Sequence, residues 1–112
     1  MTVLARELES RSLPTVVVTP MPDGAEHLLA PRILGVEFPF GHAFGRPGDR
    51  RTQRRVLDAA LTVLAGAAAP GTRIDLDLLW PEPRGVAYKS WQPAEPSPIV
   101  ALMLARQKRS EA

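Results

Sequence analysis

The chain has 112 residues with 14 basic and 12 acidic side chains, a formal net charge of +2, two histidines and no cysteine. That length bounds it at about one domain, and the missing cysteines exclude disulfides, thiolate metal sites and a thiol nucleophile of its own. The small net charge argues against bulk nucleic-acid binding, no apolar run approaches the roughly 20 residues of a membrane span, and no signal-peptide pattern opens the chain, so a cytoplasmic protein without membrane contact is expected.

Residues 2–11, TVLARELESR, read as a short helix with Val3, Leu4 and Leu8 on its apolar side, ended by Ser12 and Pro14. LPTVVVTP follows. Its three consecutive valines between prolines suit a strand buried on both faces, as in a parallel sheet. Asp23 is placed to cap a short helix, GAEHLLA, with Glu26 three residues on completing an approximate capping box and Pro31 closing it. RILGVEF supplies a second strand through Ile33, Leu34, Val36 and Phe38, and a right-handed strand–helix–strand crossover would lay it parallel beside the first.

The loop PFGHAFGRPG comes next, at the C-terminal end of that strand, the edge where open α/β sheets bind ligands. Asp49 can cap a long helix over about residues 50–67, with Val56, Leu57, Ala60, Leu61 and Leu64 on its apolar face and Pro70-Gly71 as its stop. TRIDLDLLW sets Ile74, Leu76 and Leu78 opposite Arg73, Asp75 and Asp77, the alternation of a half-exposed edge strand. Beyond it, PEPRGVAYKSWQPAEPSP is proline-rich without a sustained period. It reads as a flexible tail or an arm laid along a partner; Tyr88 and Trp91 favour the arm, with Trp80 and Trp91 as its burial anchors. PIVALMLARQKR closes the chain as a helix whose basic end suits the helix dipole. The sum is an α/β fold: a small parallel-sheet layer, half of a Rossmann or flavodoxin-like unit, with flanking helices. An α/β domain over 1–80 is followed by a Pro-rich C-terminal arm and helix over 81–112.

The loop from Pro39 to Asp49 concentrates the chemistry. Gly41, Gly45 and Gly48 allow positive φ or close approach to a ligand, His42 can donate, accept or carry a proton, and Arg46 offers a bidentate fork to carboxylate or phosphate. An ordinary turn-rich connection with solvated charges is the competing reading. It is not a phosphate-binding P-loop, because the Lys-Ser/Thr step is missing and the glycine spacing differs. Arg50, Arg51, Arg54 and Arg55 crowd a helix N-terminus already carrying partial positive charge. They form a solvated face, a docking surface for an acidic partner or ligand, or, least favoured, a nucleic-acid contact. His27 reads as a packed or surface residue, Asp75 and Asp77 as solvated, and no spacing suits a metal or a cofactor.

RELESRSLPTVVVTPMPDGAEHLLAPRILGVEFPFGHAFGRPGD resembles the C-terminal part of selenoprotein B of the glycine, betaine and sarcosine reductases and of the related D-proline reductase selenoprotein. That family shows an acidic helix, a strand, a small helix with a buried Ala, and an Ile/Val strand ending in a Pro-His-Pro or Pro-Phe-Gly turn. A Gly-x-Pro loop and an apolar helix follow. The positions carrying the likeness are Glu7, Pro14, Thr15, Thr19, Ala25, Arg32, Pro39, Gly41, Gly45, Pro47 and the Val56–Leu61 face, within residues 5–65 or so.

In the family a selenocysteine or cysteine in a redox motif precedes the acidic helix, whereas this chain starts at that helix and holds no cysteine. The resemblance therefore implies the non-thiol subunit of a two-chain reductase, assembled as a heteromer with a Cys/Sec-containing partner subunit that attacks a substrate carbon. It places His42 as the catalytic proton or hydrogen-bond donor, with Thr19, Arg32, Gly41, Gly45 and Arg46 around a small-molecule substrate whose carboxylate Arg32 or Arg46 would take. No cofactor is implied. The rival is a small α/β interaction or regulatory subunit that uses its arginines on an acidic partner.

Overall fold

Ile33, Leu34 and Val36 fall in one six-residue stretch, and that stretch becomes the middle strand of the sheet. The protein's structure, a computed structural model, describes residues 1–90 and 93–111, with the side chains of Tyr88 and Ser90 outside that description. The elements run α1 (Thr2–Ser10), β1 (Val17–Thr19), α2 (Pro22–His27), β2 (Arg32–Glu37), α3 (Arg50–Gly66), β3 (Thr72–Leu79), α4 (Arg84–Ser90) and α5 (Pro98–Ser110). The three strands are parallel in the order β1-β2-β3, which makes the chain a small α/β fold.

Successive side chains on a strand point to opposite faces, so β2 feeds two separate cores. Leu34, Val36 and Phe38 pack with Val56, Ala60 and Val63 of α3. On the other face Ile33 and Val17 pack with Ala5 of α1 and with Ala25 and Ala30. Ile33, Leu34 and Val56 are the largest fully buried side chains, each stabilising by about 1.5–3 kcal/mol. Because the strands lie in chain order while α2 and α3 cover opposite faces, the two crossovers have opposite hands. One of them departs from the right-handed rule that the sequence reading applied.

Both α1 and α2 end on residues in the left-handed region. Ser12 has φ 63°, with Ser12 N–H donating to Glu9 and Leu13 N–H to Leu8; Leu29 has φ 59°, with Leu29 N–H donating to Glu26 and Ala30 N–H to Ala25. Each is a Schellman motif without its usual glycine.

Several expectations change. On α1 the buried residues are Thr2 and Ala5, while Val3 and Leu4 face outward, because the sheet takes the small side chains and keeps the helix close. β1 is an edge strand: Val17 is buried, but Val16 and Val18 are only half covered. No side chain caps α2, which starts at Pro22; Asp23 and Glu26 turn instead to Arg73 of β3, at 2.6 and 3.1 Å. A tripled ion pair outcompetes a single capping bond. α3 begins as the sequence predicts, with the Asp49 carboxylate accepting from Thr52 N–H at 3.1 Å, although Leu57 and Leu61 remain about half exposed at its flank.

The segment after Pro81 is not featureless. It forms α4, whose Ala87 is buried. Trp91 lies outside the described residues, as does the Tyr88 side chain, so the reading of Trp91 as an arm anchor and of Tyr88 as a sign of an arm falls there too. α5 buries none of its described side chains, and the radius of gyration, 17.8 Å, exceeds the roughly 13 Å of a compact chain this long. Among the described residues no helix is long and apolar enough to cross a membrane.

Candidate functional site

Parallel strands end side by side, so whatever follows β2 meets whatever follows β3. The meeting is shaped by a slip in register: Gly35 pairs with Asp75, but Glu37 pairs with Leu79, leaving extra β3 residues between the two pairs. The slip sets Trp80 beside Phe38, with ring centroids 5.5 Å apart and planes tilted by 57°.

The loop from Pro39 to Asp49 folds as three consecutive turns. His42 N–H donates to the Pro39 carbonyl at 3.0 Å, Gly45 N–H to His42 at 2.8 Å, and Asp49 N–H to Arg46 at 3.1 Å. Gly41, with φ 83°, occupies the third position of the first turn, which makes it type II, a conformation that favours glycine there. Gly45 is buried with φ 98°, and a Cβ on it would fall 2.7 Å from Thr52 Cγ2. Its smallness lets the loop lie on the first turn of α3.

This folding brings two of the sequence-predicted site residues onto one ring. The His42 imidazole stacks on Trp80 with centroids 5.5 Å apart and planes 30° apart. The Arg46 guanidinium carbon lies 5.2 Å from the centre of the Trp80 ring, and its fork pairs with the Glu82 carboxylate. Gln53 Nε2 donates to the Arg46 carbonyl at 2.9 Å, tying the loop to α3 from behind.

Arg32 and Thr19 lie elsewhere. Arg32 opens β2, and six residues of strand, about 20 Å, separate it from the loop. There it is half-buried and pairs with Glu9, whose carboxylate also accepts from Thr15 N–H at 2.6 Å. Its Nε is buried without a hydrogen-bond partner. Arg32 is thus a bracket between α1 and β2, away from the His42 and Arg46 group. Thr19 ends β1 at the ligand edge, but its Oγ1 accepts from Met21 N–H at 3.0 Å and serves the turn. Gly41 is exposed at the loop.

Beside this group opens a cleft of about 490 Å³, lined by Pro20, Pro22, Gly35, Glu37, Asp77 and Trp80 among others. Arg73, Asp75, Glu82 and Arg84 also line it. The acids around Arg73, Asp75 first and then Asp23, hold its guanidinium still more firmly protonated than usual. Among the described residues no group of three His, Cys, Asp or Glu side chains could hold a metal ion.

Trp80 and Glu82 are site residues that sequence reasoning missed; it read Trp80 as an anchor for the arm. The available signal was topological: residues just past Leu79 must neighbour residues just past Glu37 when the two strands are parallel and adjacent. The arrangement offers a proton carrier, a cationic fork and an aromatic platform, with no thiol. Comparison with family models, with curated proteins and with solved structures finds no match to this chain.

Proposed function

We propose that the chain is the cysteine-free subunit of a two-chain reductase of the selenoprotein B type, acting in the cytoplasm, where a partner's thiol or selenol stays reduced. The observation that carries the reading is the placement of His42 and Arg46 together on Trp80, at the ligand-binding edge and beside an open cleft, in a chain with no thiol. A thiolate or selenolate on the partner attacks the substrate carbon and forms a bond to it. The leaving group departs with the electrons of the broken bond and takes a proton from His42. Arg46 holds the substrate's carboxylate through its fork, which orients the carbon for attack.

Affinity purification from the native cells under reducing conditions tests this. It should recover a stoichiometric second chain with a Cys or Sec redox motif, and the complex, given a dithiol reductant that releases the reduced product and regenerates the nucleophile, should turn over. Recovery without such a chain overturns the reading.

The non-enzymatic reading has its own observation. Arg50, Arg51, Arg54 and Arg55 are all exposed; Arg54 lies 3.8 Å from Asp58, and the Arg51 charge acts on the Asp49 carboxylate. A subunit docking an acidic partner there would lose assembly on Arg50→Glu with Arg55→Glu, and keep it on His42→Ala.

A further inference from the structure

Arg46 is held on three sides: by Gln53 at its carbonyl, by Trp80 beneath its guanidinium and by Glu82 at its fork. Glu82 reaches it from 36 residues further along the chain, on the segment that leaves β3 directly after Trp80 and Pro81. We infer that Glu82 is a built-in competitor for the ligand's carboxylate, a latch that occupies the Arg46 fork and must be displaced before a carboxylate can bind there. The inference rests on reading Arg46 as the carboxylate-binding residue of the proposed function.

Three features make this a latch rather than a permanent brace. The Arg46 and Glu82 side chains are 44% and 39% exposed, so an incoming carboxylate can reach the fork from water and the pair is of the weak, solvent-screened kind. Other contacts keep Arg46 in place without Glu82, since the Gln53 bond and the Trp80 ring do not depend on it. Glu82 also lines the cleft in company with Glu37, Asp75 and Asp77. Arg73 and Arg84 line it too, so the cleft is of mixed charge, and the attraction between Glu82 and Arg46 restores the pair once the ligand leaves.

The test uses the full chain alone, with Trp91→Phe as background so that emission reports Trp80, and acetate as the probe against chloride at equal ionic strength. Glu82→Gln should bind acetate about two- to fivefold more tightly than the background chain, the range of a weak exposed ion pair. Adding Arg46→Ala to Glu82→Gln should abolish the response while the melting transition persists. Equal affinity with and without Glu82→Gln overturns the latch, and so does a response that survives Arg46→Ala. No partner enters this experiment. Tightening by Glu82→Gln therefore stands even if no Cys- or Sec-bearing subunit exists, and equal affinity leaves the reductase reading untouched.

Discussion

Gly35 and Asp75 face each other across β2 and β3, and the Asp75 carboxylate lies over the position a Gly35 side chain would take. A Cβ there would overlap Asp75 Oδ1 and sit 3.1 Å from Cβ and Cγ of Pro22. The carboxylate cannot swing freely, because Arg73 Nε and Nη2 hold its two oxygens at 2.9 and 3.0 Å. Gly35→Ala should therefore destabilise the protein by about 1–3 kcal/mol, the usual cost of overpacking. A urea midpoint unchanged from wild type would remove close packing as the reason for this glycine.

Leu29 invites the opposite substitution. It ends α2 in the left-handed region, and its side chain is 69% exposed, so little packing is lost with it. Leu29→Gly should relieve the strain of a branched residue there and raise stability by about 0.5–1 kcal/mol, after the added entropy of glycine in the unfolded chain. The check is the thermal midpoint, with Leu29→Ala as a control that keeps the strain.

Stability in acid should depend on Glu9. The Thr15 backbone N–H, then the Arg32 charge, hold its carboxyl below the ordinary 4.5, against a burial contribution that pushes it up. Asp49 is likewise held below its ordinary 3.8, by the Thr52 side chain and then the Thr52 backbone N–H. A carboxylate whose folded pKa is depressed adds stability that is complete above its unfolded value and lost as pH falls through the folded one. The melting temperature should accordingly hold above pH 4.5 and decline below it. Glu9→Gln should melt lower at neutral pH and lose part of the acid decline. An acid limb as steep as wild type would acquit Glu9.

On the proposed reductase reading, Arg46→Ala in the assembled complex should cost about 1.5–3 kcal/mol of substrate binding, roughly ten- to a hundredfold. Arg46→Lys should restore only part, since a point charge cannot reproduce the fork. His42→Ala should lower turnover with assembly intact. Arg54→Ala is the control, being exposed one turn inside α3. If Arg54 matters while His42 and Arg46 do not, the functional surface is the helix face.

Much of this fold is local, and the local parts were legible. Asp49 capping Thr52, the proline and glycine turns of the loop, and the apolar spacing of Val56 and Ala60 all act within one or two helical turns, where residue type alone is informative. The apolar helix faces were less legible. Leu57 and Leu61 have the right spacing but no neighbouring layer to cover them, and on α1 the sheet chose Ala5 over Leu4. Periodicity marks a stripe; it does not say which edge of the stripe is covered.

The amino-acid sequence by itself determined the order of helices and strands as far as β3, a His/Arg loop at the end of β2 and the absence of any thiol. Tertiary structure alone decided who meets whom. Asp23 and Glu26 leave α2's end for Arg73, 50 and 47 residues away, and a slip in strand pairing carries Trp80 and Glu82 to His42 and Arg46. Turn and helix preferences are settled by a few neighbouring torsions and bonds. The choice of an ion-pair partner or a strand register compares arrangements of distant segments, and that comparison exists only once the chain has closed on itself.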